Sequence, residues 1–308
     1  MRYMRSQLIL LVCIILAAVA LTRLPFFGMW NPSGGATVAT VATSSEPGTA
    51  SSTPPHDPVR NWNVLDPQVA AQAMIVQSLD DGFPYFRYRM DTPWPLASLT
   101  KLLTSVVVVE QIGLNQKIPI SKAAVDTEGA AGDLWPGEEY AARDLLKIML
   151  MASSNDAAAA FEEYIGKDKF LHLAREKERG IGMTGTRIYD ASGLDDSNTT
   201  TARDMFLLLK YLVAHHPDIL SWTRLTSLIV QPLNTDRSHI VSNIDALSSR
   251  PDFLGGKTGT SPKAQENFAG IFSFHNARTA LVILGTPDRV KETDNMLKWI
   301  NSAYTFGN

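Results

Sequence analysis

Three short stretches carry side chains able to make and break an acyl bond. Ser98-Leu99-Thr100-Lys101 sets a hydroxyl and an amine three residues apart, which on a helix makes them neighbours facing one cleft. A serine hydroxyl is a weak nucleophile until a base takes its proton. A lysine amine serves as that base when desolvation and a nearby positive charge lower its basicity. Lys257, in Lys257-Thr258-Gly259-Thr260, is the candidate second charge and is also able to meet a substrate carboxylate. Ser153-Ser154-Asn155 adds a hydroxyl to relay a proton toward a leaving group, and an amide that either bonds a peptide carbonyl or orients Lys101. The backbone N–H groups of Ser98 and Thr260 are candidates for an oxyanion hole. Gly259, lacking a side chain, would let a substrate lie along the strand edge. Each stretch also has a plain structural reading: a helix cap with an extended lysine, a helix-breaking cap, and a solvated turn. Their order, wide spacing and placement on helix, turn and strand favour the chemical reading.

The elements that must position these residues are legible in the apolar patterning. Leu96–Glu110 is strongly apolar, and its length and leucine spacing predict a buried helix beginning at Ser98. Ala142–Ala152 and Asp156–Ile165 read as successive helices broken at Ser153-Ser154-Asn155, and Lys167–Arg179 as a charged surface helix ended by Gly180. Thr201–His216 has a capping threonine, an acid in its first turn and Pro217 after its end. Ala71–Ser78 and Tyr85–Arg89 flank the turn signal Asp80-Asp81-Gly82 and predict a hairpin. Lys257–Ser261, Asn267–Phe274 and Thr279–Gly285 read as consecutive strands, followed by a helix over Val290–Tyr304. Strands at both ends of this region with helices between them predict an α+β fold, in which the terminal strands form one antiparallel sheet.

Composition narrows the function classes. The chain has 308 residues, 45% hydrophobic and 19% charged, which suits a globular core and excludes global disorder. A net charge of −3 argues against a dedicated nucleic-acid binder. The single cysteine, Cys13, excludes a disulfide framework, a thiolate zinc site and a cysteine nucleophile served by a nearby base. Arg2 and Arg5 precede the apolar run Leu8–Leu21, so residues 1–30 read as a signal peptide or an N-terminal signal anchor that leaves the rest of the chain outside the cytoplasm. Residues 31–60, rich in Ser, Thr, Gly, Ala and Pro, read as a flexible linker, and residues 61–308 as one catalytic domain.

The three motifs together resemble those of the D-alanyl-D-alanine carboxypeptidases, low-molecular-mass penicillin-binding proteins of the serine peptidase type. Pro95–Thr104 resembles the family's nucleophile segment, and Arg143–Leu146 through Ser153–Ala158 its second motif. Asp190–Asn198 with Thr201–Met205 is similar to a further characteristic stretch. The resemblance covers about residues 65–305. It implies a penicilloyl-serine-transferase (β-lactamase-like) fold, with a five-stranded antiparallel sheet, flanking helices and a helical subdomain. It also implies attack by Ser98 on the bond between the terminal D-alanines of a peptidoglycan stem peptide, with Lys257, Thr258 and Thr260 holding the terminal carboxylate. β-Lactams would acylate Ser98 as substrate mimics, and no cofactor is implied. Many relatives carry a C-terminal β-rich domain and an amphipathic membrane helix. Here 48 residues follow Thr260, which places any anchor at the N-terminus.

Three rivals are weaker. A class A-like β-lactamase needs a deacylating glutamate between the second and third motifs, and Glu162, Glu163, Glu176 and Glu178 all lie outside a Glu-x-x-x-Asn context. A non-catalytic wall- or β-lactam-binding protein is disfavoured by intact Ser98, Lys101, Ser153, Asn155 and Lys257. A metal hydrolase lacks support because the six histidines show no H-E-x-x-H pattern. His215-His216 reads instead as serving helix-terminal carbonyls ahead of Pro217.

Overall fold

The computed structural model describes residues 58–129 and 131–306. The expected signal or anchor over 1–30, including Cys13, and the linker as far as residue 57 lie outside the described residues. In chain order the main elements are β1 (Ala73–Ser78), β2 (Pro84–Tyr88), α1 (Thr100–Gln111), α2 (Ala142–Met151), α3 (Asn155–Ile165) and α4 (Lys167–Ile181). They continue with α5 (Ala202–His215), α6 (Pro217–Trp222), β3 (Ser227–Val230), β4 (His239–Ser242), β5 (Phe253–Ser261), β6 (Gln265–Phe274), β7 (Ala277–Thr286) and α7 (Arg289–Ala303). Among the described residues, no helix is long and apolar enough to cross a membrane.

Five strands form one antiparallel sheet in the order β5-β6-β7-β1-β2. Strands from both ends of the described chain therefore sit side by side, as the α+β reading expects. Period-two alternation sends neighbouring residues of one strand into different cores. Ala73 and Ile75 of β1 join Leu99, Leu102 and Val106 at α1 and Met205 and Leu209 of α5. Met74 and Val76 join Met296, Leu297 and Ile300 of α7. Both faces are thus covered, which is why β7 reads as the near-continuous apolar run Ala280–Leu284.

The first core extends away from the sheet into α2 and α3 through Leu145, Leu146, Met149 and Phe161. This helical side and the sheet hold Ser153 and Lys257 from opposite directions. Val59 and Arg60, read as the end of the linker, pair with Thr305 and Tyr304. Elements that the apolar patterning does not reveal include α6, the β3–β4 hairpin, and two short ribbons joining Trp94–Pro95 to Thr199–Thr200 and Lys117–Pro119 to Glu139–Ala141.

Local chemistry adjusts the expected boundaries. Thr201 caps α5 by accepting a bond from the Asp204 N–H at 3.1 Å. Helix α4 runs through Gly180 to Ile181 rather than ending at Arg179. A glycine lowers helix propensity by about 1 kcal/mol without forbidding the turn. The His216 backbone N–H donates to Leu212 O at 2.9 Å, while its ring turns to an acid instead, with Nε2 2.9 Å from Glu110 Oε1.

Candidate active site

The nucleophile segment is a 3₁₀ turn, Ala97–Leu99, that opens into α1 at Thr100. Ser98 therefore sits one turn before the regular helix rather than on it. Ala97 has φ +46°, a left-handed backbone that a non-glycine residue adopts only under surrounding restraint. Three contacts supply that restraint. Leu96 N donates to Asn198 O at 2.8 Å, and the buried Asn267 side chain donates to Pro95 O at 2.8 Å and Leu96 O at 3.1 Å. Gly259 of β5 lies against the same turn, since a Cβ built there would stand 2.8 Å from Leu96 O and 3.3 Å from Ser98 N. The missing side chain of Gly259 thus admits the nucleophile turn.

Lys101 has no exposed surface. Its Nζ lies 2.9 Å from Ser98 Oγ, 2.7 Å from Asn155 Oδ1 and 2.7 Å from the backbone oxygen of Ser192. Burial, reinforced by the positive charge of Lys257, holds the amine well below the usual lysine range, with the Asp190 carboxylate pulling the other way. A neutral amine has two N–H donors and one lone pair. Asn155 and Ser192 take the donors, so the lone pair faces the Ser98 hydroxyl.

The second motif divides its labour. Ser154 caps α3 by accepting from Ala157 N at 3.0 Å, a contact worth about 0.5–2 kcal/mol. Ser153 is thereby free to face the cleft, in the left-handed region at φ +56°. Asn155 opens α3, and its Nδ2 donates to Glu128 O at 2.8 Å. Its Oδ1 accepts from Lys101, and the second N–H of the amide stays available for a peptide carbonyl. The cap reading of this stretch thus holds for Ser154 alone.

The third motif lies on β5, the edge strand of the sheet. Lys257 is 2% exposed, and its Nζ donates to Ser153 Oγ at 3.0 Å and to Thr258 O at 2.9 Å. Burial pulls it down to about 7, with the Asp245 carboxylate opposing and the Arg289 guanidinium assisting. Alternation along the strand puts Lys257 and Gly259 toward the nucleophile turn, and Thr258 and Thr260 toward the face of α7. There the Thr260 hydroxyl accepts from Arg289 Nη2. Arg289 also donates to Gly259 O at 3.1 Å and pairs with Glu266 at 3.0 Å. The structure therefore bonds Lys101 to Ser98 and Asn155, bonds Lys257 to Ser153 and sets Gly259 against the Ser98 turn, while Thr258 and Thr260 stand on the α7 side of the strand. Arg289 and the Ser192 carbonyl were missed: one is an ordinary residue at the start of a helix, the other a backbone group without a side-chain signature.

A serine whose proton faces a buried amine, a second hydroxyl bonded to a second lysine, and an open strand edge form an acyl-transfer site. The comparisons show the family. The family model described as D-alanyl-D-alanine carboxypeptidase matches residues 61–288. The chain belongs to that family. Its members are serine hydrolases, and the sheet with its flanking helices is the penicilloyl-serine-transferase fold expected above. D-alanyl-D-alanine carboxypeptidase DacB2 of Mycobacterium tuberculosis is 28% identical over 222 residues, covering 71% of this chain and 76% of that protein. DacC of Escherichia coli is 30% identical over 253 residues, covering 76% of this chain and 62% of that one. The crystal structure of a D-alanyl-D-alanine carboxypeptidase from M. tuberculosis H37Rv superposes with a TM-score of 0.72 at 25% identity, covering 81% of this chain and all of that chain.

Proposed function

We propose that this carboxypeptidase removes the terminal D-alanine from peptidoglycan stem peptides through an ester on Ser98, with Lys101 as the general base. The supporting observation is the environment of Lys101, buried and left with its lone pair toward Ser98. The Ser98 proton passes to Lys101 as Oγ attacks the carbonyl of the penultimate D-alanine. The backbone N–H groups of Ser98 and Thr260 receive the oxyanion, because Gly259 brings the strand against the Ser98 turn. Ser153, bonded to Lys257, relays a proton to the departing amine as the C–N bond breaks. Water then cleaves the ester and returns the proton to Ser98.

The substrate chain lies along the free edge of β5. Its terminal carboxylate is held by Lys257 from one side of the strand and by Thr258, Thr260 and Arg289 from the other. β-Lactams carry a carboxylate beside a reactive amide and acylate the same serine. No nucleic acid takes part. The enzyme works outside the cytoplasm, exported by residues 1–30 or anchored through them to the membrane. Release of D-alanine from a synthetic peptide ending in D-Ala-D-Ala tests the assignment. The wild type should release it and Ser98→Ala should not; turnover retained in that variant would sink the mechanism.

A further inference from the structure

The segment Asp190–Asn198 forms the third side of the Lys101 enclosure, and one carboxylate holds its shape. Asp190 Oδ1 accepts from Ser192 N at 2.6 Å, Ser192 Oγ at 2.7 Å and Gly193 N at 2.6 Å, while Oδ2 accepts from Asp195 N at 2.7 Å. The turn so gathered is pressed against the nucleophile segment. Gly193 has φ +89°, and a Cβ there would stand 1.9 Å from Ala97 O, so no other residue fits. Thr104 of α1 donates to Ala191 O at 2.7 Å, which fixes the turn beside Lys101. The Ser192 carbonyl is thereby presented to the Lys101 amine.

We infer that Asp190 is a positioning residue for the general base, clamping the 190–195 turn so that Ser192 O takes one Lys101 N–H and the amine lone pair stays on Ser98. The inference rests on Lys101 acting as the base for Ser98. Asp190 acts by charge as well as by shape. Lys101 is faced by Lys257 from β5, which disfavours its protonation, and by Asp190, which favours it. Asp190 is itself faced by Glu162 from α3, by Lys167 at the start of α4 and by Asp195 on its own turn. Removing the Asp190 charge leaves Lys257 opposed by less, and Lys101 holds its proton less well.

The test is the pH profile of Ser98 acylation by benzylpenicillin on the full chain, followed by intact mass alongside the melting temperature. Asp190→Asn keeps an acceptor for the Ser192 and Gly193 amides but cannot accept from Asp195 N. Its rate should fall about tenfold and its ascending limb should move about one pH unit lower. Asp190→Glu retains the charge and should leave the limb where it stands in the wild type. Asp190→Ser, a neutral residue that still closes such turns, should shift the limb as asparagine does and replaces that variant if it fails to fold. A limb unmoved in the neutral variants, with rate losses that only follow the melting temperature, would overturn the inference. If the wild type gives no Ser98 adduct, or Lys101→Met acylates at the wild-type rate, the underlying base assignment falls instead.

Discussion

On the helical wall of the cleft, Lys101 has no exposed surface and each hydrogen-bonding position of its amine is taken by Ser98, Asn155 or Ser192. On the strand wall, Lys257 is 2% exposed and Thr258 8%, and Thr260 is open to solvent. The first wall is finished before substrate arrives, with its strained residues Ala97 and Ser153 held by neighbours. The second is graded from buried to open along four residues and ends in a hydroxyl and a guanidinium. Proton transfer needs fixed geometry and low polarity. Recognition of a chain end needs an edge that a ligand can complete. The difference in burial follows the difference in task.

The sharpest way to break this comparison is to remove the amine alone. Lys101→Met should lower Ser98 acylation by about 10²–10⁴-fold. The melting temperature should fall only modestly, by the cost of leaving Asn155 Oδ1 and Ser192 O without their donor, about 1–3 kcal/mol. A large loss of stability in step with activity would make the helical wall a structural core and not a proton-transfer device.

The strand wall should respond differently. Arg289→Ala removes a charged donor beside Thr260, and kcat/KM should fall about 10–100-fold, carried mainly by KM. A fall confined to kcat would place Arg289 with the chemistry and dissolve the division of labour.

Where the walls touch, one substitution should damage both. Gly259→Ala puts a Cβ 2.8 Å from Leu96 O and 3.3 Å from Ser98 N. Overpacking of this kind costs about 1–3 kcal/mol, and both the acylation rate and the melting temperature should drop. Unchanged behaviour would mean that the nucleophile turn is not braced by the strand.

The helical side and the sheet differ as much in how far the sequence reveals them. Strand β7 and helix α5 show themselves through an apolar run and a capped amphipathic pattern. The lower half of β5 hides, because Gly255 and Gly256 disguise a strand whose register is set by pairing with Ile271 and Gly270. The β3–β4 hairpin hides too, since Ile229 and Ile240 are paired with each other and stand mostly in solvent. Ser98, Lys101, Ser153, Asn155 and Lys257 stand out only jointly, through the order, wide spacing and placement of three individually weak motifs on helix, turn and strand. Arg289 does not stand out, because only folding brings the start of α7 onto β5. Ser192 belongs to a stretch singled out in the sequence, yet its contribution is a carbonyl that every residue carries. Gly259 stands out for its missing side chain, but its closeness to Leu96 and Ser98 appears only in the fold.

The smallest expected effect lies away from both walls and serves as their control. Glu178 is 4% exposed, and burial pushes its carboxyl up to about 7 against the three arginines 187, 175 and 179. A carboxyl raised in the folded state contributes stability that is complete below its unfolded value, near 4.5, and is lost as pH rises through about 7. Glu178→Gln should therefore stabilise the domain by about 1–3 kcal/mol at pH 8 and by little at pH 5. Its acylation rate should match the wild type. A stability gain that does not depend on pH would show that the buried charge is not the cause.

The most direct test of Ser98 as the nucleophile served by Lys101 is time-resolved mass spectrometry of the protein with benzylpenicillin, with the modified peptide located by fragmentation. A long-lived adduct carried by Ser98, absent in Ser98→Ala and slowed severely in Lys101→Met, is the predicted result. An adduct on another residue would contradict it, whereas a Ser98 adduct that vanishes within seconds with release of penicilloate would keep the nucleophile and make the enzyme a β-lactamase.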